Sequence, residues 1–142
     1  MVSTPYSRAV LAWELSNTMD VSFCITTLNR ALTKYGAPDI FNTDRGAQFT
    51  AADFTAILLA RGIKISMDGK GRALDNVFVE RLWWTVKWDE VYRKSYRSMI
   101  DAYKNLEWFY RFYNEERPHS SFIGDVTPME VYRGETEIAL SA

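Results

Sequence analysis

The sequence predicts an α/β layer architecture, with helices packed on a sheet. Apolar runs of strand length alternate with segments of helical spacing through the first half of the chain. Gly and Pro residues fall at the junctions. A chain of 142 residues, 47% apolar and 15% aromatic, is long and apolar enough to bury one core.

Each element has its own local signal. Arg8-Ala-Val-Leu-Ala-Trp-Glu-Leu-Ser16 is rich in strand formers and predicts a strand over about 8–16, with no partner upstream. Asp20 then caps a helix to about Tyr35, with Phe23, Leu28, Ala31 and Leu32 near helical spacing and Gly36-Ala-Pro38 as the stop. Ile40-Phe-Asn-Thr43 is a brief strand running into the loop Asp44–Phe49, where Gly46 can supply an unusual backbone turn. Thr50 or Ala51 opens a second helix, with Phe54, Ile57 and Leu58 inside it and its close near Arg61-Gly62. Ile63-Lys-Ile-Ser-Met67 alternates as a strand.

A glycine-bearing polar loop, Asp68–Leu74, leads into a long helix over about 75–92, for which Asp75 suffices as the N-cap. A further helix over about 98–114 carries Tyr103, Leu106, Tyr110 and Tyr113 at three- and four-residue spacing, until Arg117-Pro118 breaks it. A short helix starts at Pro128 and ends at Gly134. With no repeat or linker, one domain is expected over 1–142, its core at about 8–92 and a helical extension at about 98–134.

Composition excludes several functions. No apolar stretch is long enough for a membrane span or a secretory signal, so the cytoplasm is the expected address. One cysteine, Cys24, cannot form an internal disulfide and reads as a small buried hydrophobe. One histidine, His119, following Pro118 in a turn, reads as structural and leaves no His/Cys zinc site. Any metal here must be held by carboxylates. The net charge of −1 is no global mark of a nucleic-acid binder, but residues 70–97 hold seven basic against four acidic groups.

Two carboxylates stand out. Asp44 lies just past the carboxyl end of a strand, where open α/β sheets bind ligands. Glu80 lies within the long helix, and spacings of four and seven place Asn76, Glu80 and Lys87 on one helical face. A strand-end carboxylate facing one on a helix suits a hard cation such as Mg²⁺, which takes oxygen ligands. The plainer reading of both is a solvated surface acid.

These residues carry a family resemblance. Asn42-Thr-Asp44-Arg-Gly-Ala-Gln-Phe49, then Asp75-Asn-Val-Phe-Val-Glu80-Arg-Leu-Trp83 with thirty-five residues between Asp44 and Glu80, then Lys87, resembles the Asp-Asp-(35)-Glu core of insertion-sequence transposases. The likeness is to their second-frame, orfB-type product, with its retroviral-integrase-like catalytic domain. Phe112-Tyr-Asn-Glu-Glu-Arg-Pro-His119 and Thr127-Pro-Met-Glu-Val-Tyr132 resemble the C-terminal signature of that group.

The resemblance implies a ribonuclease-H-like fold, with C-terminal helices, and polynucleotidyl transfer on DNA in transposition and integration. It implies Asp44 and Glu80 as catalytic metal ligands in a two-ion Mg²⁺ or Mn²⁺ site. It also implies DNA contacts from Lys87, Lys70 and Arg72, with Asn76 and Gln48 beside them, although Gln48 can equally tie down its own loop. Homo-oligomerisation or co-assembly with an intact transposase belongs to the same expectation.

Thr4-Pro-Tyr-Ser-Arg8 resembles the family's Asp-x-Tyr-Ser-Arg pattern with Thr4 at the acidic position, and no acidic residue precedes Glu14. An incomplete core is therefore expected, lacking its first two strands and the first catalytic Asp, and inactive alone. The alternatives are a non-catalytic DNA-binding or transposase-interacting remnant, a two-carboxylate glycoside hydrolase, and an interaction protein using the Tyr103–Tyr113 stripe. Trp13, Trp83, Trp84, Trp88 and Trp108 are expected in core or interface packing rather than as base-stacking platforms. Arg117 and Arg133 are expected in ion pairs on the helix surface.

Overall fold

Strand and helix alternate as the sequence predicts, but the strands are shorter and the first one has a partner. The computed structural model describes residues 1–18, 20–43, 45–67 and 77–134. Strands β1 (Val2–Ser3) and β2 (Val10–Ala12) form a two-stranded sheet. The expected strand over 8–16 is thus confined to three residues and is paired from upstream. Between the strands the Thr4 N–H donates to the Ala9 carbonyl and the Arg8 N–H to the Thr4 carbonyl, each at 3.0 Å. Thr4 and Ser7 join their hydroxyls, and Arg8 takes a left-handed backbone, φ 63°.

Two compact units make up the chain, Met1–Val2 with Leu11–Glu80, and Ser3–Val10 with the stretch from Arg81 onward. The first is a strand–helix–strand unit. Its helix α1 (Val21–Tyr35) starts after Asp20, whose extended backbone makes it the N-cap; its carboxylate accepts from the Ser22 and Thr18 hydroxyls instead of capping. Gly36, at φ 83°, closes α1 with its N–H on the Leu32 carbonyl.

Strand β3 (Ile40–Thr43) pairs in parallel with β4 (Lys64–Met67), Ile40 opposite Lys64 and Thr43 opposite Met67. A parallel pair needs a crossover. Helices α2 (Ala47–Thr50) and α3 (Ala52–Ala60) supply it. The short α2 replaces part of the expected loop, and Gly46 has ordinary dihedrals, φ −58° and ψ 146°. Its value is as the residue before a helix, since its carbonyl accepts from the Phe49 and Thr50 N–H groups.

The core of this unit is Cys24, Leu28 and Leu32 of α1 against Phe54 and Leu58 of α3 and Ile63. Phe41 and Phe49 approach the Phe54 ring edge-on at 6.1 and 5.4 Å. Fully burying a side chain such as Phe54 or Leu58 is worth about 1.5–3 kcal/mol. Burial also raises the Cys24 thiol pKa, as befits a small hydrophobe.

The second unit is helical. Helix α4 (Val77–Asp89) ends in a single 3₁₀ turn, Val91–Arg93, so the predicted helix over 75–92 loses its last turn to tighter winding. Ser98 caps α5 (Met99–Glu115) by accepting the Asp101 N–H at 3.1 Å. Helix α6 (Pro128–Arg133) begins with a capping box between Thr127 and Glu130 and ends at the left-handed Gly134.

Leu106, Phe109, Tyr110 and Tyr113 of α5 are buried, which makes the predicted stripe core and removes it as a partner surface; Tyr103 is half-buried. Asn114 clamps the start of β2, accepting the Val10 N–H at 2.9 Å and donating to the Val10 carbonyl at 2.8 Å.

Candidate functional site

Glu80 stands in the first turn of α4, exposed, where the helix dipole favours a carboxylate. Lys87 is exposed in the last turn. Two helical turns separate them, about 10 Å along the axis. Glu80 and Lys87 form no ion pair among the described residues. Asp44, Lys70, Arg72 and Asn76 lie outside the described residues. Thr43, the residue before Asp44, ends β3 buried. Gln48 is half-buried on α2 and is engaged there. Among the described residues no three of His, Cys, Asp and Glu cluster as a metal site would.

The other predicted groups resolve into structural roles. Arg117 pairs with Asp89 at 2.6 Å and Arg133 with Glu115 at 3.9 Å. His119 accepts the Ser121 N–H on Nδ1 at 3.1 Å and packs against Tyr113 and Phe122. Burial, then the charges of Arg8, Arg117 and Arg81, hold its pKa below the ordinary imidazole value. A ring with an occupied acceptor and a disfavoured proton is structural, as the turn position predicts.

Four of the five tryptophans expected in core or interface packing do not lie in the core. Trp83, Trp84, Trp88 and Trp108 are 43, 62, 56 and 50% exposed, whereas Trp13 is half-buried. Helix α4 turns Leu82 and Val86 inward. Trp84 and Trp88 each follow by two residues, about 200° around the helix, and so face out. Their rings lie nearly parallel, 8° apart with centroids at 6.1 Å, and Trp88 meets the Tyr92 ring edge-on at 5.1 Å. Aromatic spacing alone misses this exposed stack; the aliphatic pair on the opposite face is the signal that finds it.

Comparison with known proteins places the chain. Two family models, each described as an integrase core domain, match residues 4–73 and 61–128. The chain belongs to the integrase-core family. Transposase InsF of insertion sequence IS3A from Escherichia coli is 30% identical over 131 residues, which cover 87% of this chain and 43% of InsF. The candidate transposase of insertion element IS986/IS6110 from Mycobacterium tuberculosis is 28% identical over 138 residues, covering 92% and 49%. A 31 kDa protein of insertion element IS600 from Shigella sonnei is 33% identical over 90 residues, covering 63% and 33%. The chain thus spans half or less of the length of these relatives, and the core it carries is the one found in insertion-sequence transposases.

The fold is that of retroviral integrase catalytic cores, ribonuclease-H-like. The HTLV-2 integrase core in complex with magnesium superposes with a TM-score of 0.69 at 18% identity, and the BIV integrase core with 0.69 at 21%. Each superposition covers 91% of this chain and 80% of the other. Among the described residues no helix is long and apolar enough to cross a membrane.

Proposed function

We propose that this chain carries the Asp44–Glu80 half of a divalent-metal site for polynucleotidyl transfer on DNA, in insertion-sequence transposition. The observation that carries the reading is the integrase-core match, which spans both motifs, Asn42–Phe49 and Asp75–Trp83. The donor chemistry fits Mg²⁺ or Mn²⁺, since both candidate ligands are carboxylates and Glu80 is exposed with no ion-pair partner among the described residues.

When bound, such ions activate an attacking hydroxyl and stabilise the leaving oxygen of an in-line displacement. The residues of the chain provide the setting. Asp44 and Glu80 supply negative oxygen ligands, one from a strand end and one from a helix. Lys87, with Lys70 and Arg72, neutralises backbone phosphates, while Asn76 and Gln48 offer amide hydrogen bonds to the DNA. About three net positive charges over residues 70–97 is modest beside the 6–10 phosphate contacts of a strong binder.

Thr4 stands where the family pattern has an acid, and no carboxylate precedes Glu14. These 142 residues therefore hold two of three ligands, and catalysis by them alone falls to background. Oligomerisation, with itself or with an intact transposase, is part of the same proposal.

The test is incubation of the chain with labelled duplex DNA bearing an insertion-element end, in Mg²⁺ or Mn²⁺. The expected result is salt-sensitive DNA binding with no nicking or joining above a Glu80→Gln control. Strand-specific nicking lost on Glu80→Gln overturns the incompleteness, and absence of any DNA binding overturns the DNA-acting reading.

A further inference from the structure

One stripe of α4 carries Glu80, Arg81, Trp84, Lys87 and Trp88, all exposed. Trp84 stands at its centre, stacked on Trp88, and meets no other ring among the described residues. At 100° per residue, Glu80 and Lys87 lie about 40–60° to one side of Trp84, and Arg81 and Trp88 about 40–60° to the other. Each of these pairs is seven residues apart, and Trp84 lies close to the middle of both.

The charges of the stripe are unmatched within one copy. Glu80 and Lys87 are about 10 Å apart along the helix axis, two turns rather than the one that lets side chains pair. Neither they nor Arg81 have an ion-pair partner among the described residues. The acids at the end of the helix are engaged elsewhere, Asp89 with Arg117 at 2.6 Å and buried Glu90 with Lys94 at 2.9 Å.

We infer that two copies of this chain pair antiparallel through this stripe, about a two-fold axis at Trp84, and that the contact covers Glu80. A two-fold contact sets a patch against itself, so each residue meets the one at the opposite end of its own flank. Glu80 then meets Lys87 of the second copy, and the reverse pair forms as well. Arg81 meets the indole of Trp88 of the second copy, a cation on an aromatic ring, and the two Trp84 rings meet at the axis. An antiparallel pair also opposes the helix dipoles, whereas a parallel one aligns them and sets Glu80 against Arg81. One helical stripe buries less than the roughly 1,200 Å² of a stable interface, so the dimer is weak and exchanges with monomer. A carboxylate held in that contact is withheld from a cation, which makes the dimer an autoinhibited form; this consequence rests on the reading of Glu80 as a metal ligand.

The test is sedimentation velocity of the full chain over a range of concentrations in chelator. The expected result is a monomer–dimer equilibrium. Trp84→Ala, Glu80→Lys and Lys87→Glu should each weaken the dimer about tenfold, because the two-fold axis doubles every loss. The Glu80→Lys, Lys87→Glu double variant should restore it. Circular dichroism establishes that each variant is folded, and the exposure of all three side chains makes that the expected result. Mn²⁺ in place of chelator, at constant ionic strength, should shift the unaltered chain toward monomer.

A chain that is monomeric at every concentration overturns the inference, and weaker duplex DNA binding by its Trp84→Ala variant would then give the face to DNA. A dimer that withstands all three single variants lies on another face and also overturns it. A double variant that stays monomeric overturns the antiparallel pairing of Glu80 with Lys87. A dimer that responds to the variants as expected but not to Mn²⁺ supports the contact and overturns Glu80 as a metal ligand, which keeps the two readings separable.

Discussion

Helices α4 and α5 both carry aromatic side chains at three- and four-residue spacing, and Trp84 and Trp88 of α4 turn opposite to Phe109, Tyr110 and Tyr113 of α5, although Trp108 of α5 is exposed. On α5, Phe109, Tyr110 and Tyr113 face inward, while Lys104, Glu107 and Arg111 face solvent. Burial pushes the Tyr113 phenol up to about 12 and raises the Tyr110 phenol too. On α4, Leu82 and Val86 are buried, and Trp84 and Trp88 face solvent. Spacing tells which residues share a face. What lies on the opposite face decides which of the two is inward: charge on α5 sends the rings in, an aliphatic pair on α4 sends them out.

The largest effect that could break this contrast is on stability. Tyr110→Ala should cost about 3–5 kcal/mol, as for other large buried side chains, whereas Trp84→Ala should stay within about 0.5 kcal/mol. Urea denaturation of the two variants checks this, and equal losses would erase the distinction between the helices.

Asn114→Ala sharpens the account of α5 further. Removing both hydrogen bonds to Val10 leaves a buried N–H and a buried carbonyl unpaired, for about 2–3 kcal/mol. Asn114→Leu, which restores apolar volume without either bond, should not recover it.

The smallest effect is a pH slope. The folded state holds the His119 pKa below its usual 6.5, so the unfolded chain binds the proton more readily. That stability is present above pH 6.5 and is lost as pH falls from 6.5 toward the depressed value. A His119→Asn variant keeps an acceptor for the Ser121 N–H without titrating. Its urea midpoint should fall less between neutral and mildly acidic pH than that of the unaltered chain.

Much of the fold was legible because strong local signals agree with packing. Strand β3 has the predicted limits of Ile40 and Thr43, Gly36 stops α1, and α5 and α6 begin one residue or less from their predicted starts. The misses have physical causes. Strand propensity over 8–16 continued past Ala12, but pairing partners did not, and β1 is too short to announce itself. Helix α2 is a single turn, below the length at which periodicity speaks. Spacing placed Glu80 and Lys87 on α4 because helical periodicity is local, whereas composition foretold that Arg117 and Arg133 would pair without naming their partners, Asp89 and Glu115, which lie far along the chain. The proposed approach of Asp44, which lies outside the described residues, to Glu80 would be a long-range property that no local pattern encodes.

That approach is the central claim, and Mn²⁺ binding followed by electron paramagnetic resonance tests it most directly. In a titration of the unaltered chain, Asp44→Asn and Glu80→Gln, the account predicts a weak saturable site in the first that is lost in both variants. Mn²⁺ binding of equal strength in all three would contradict it.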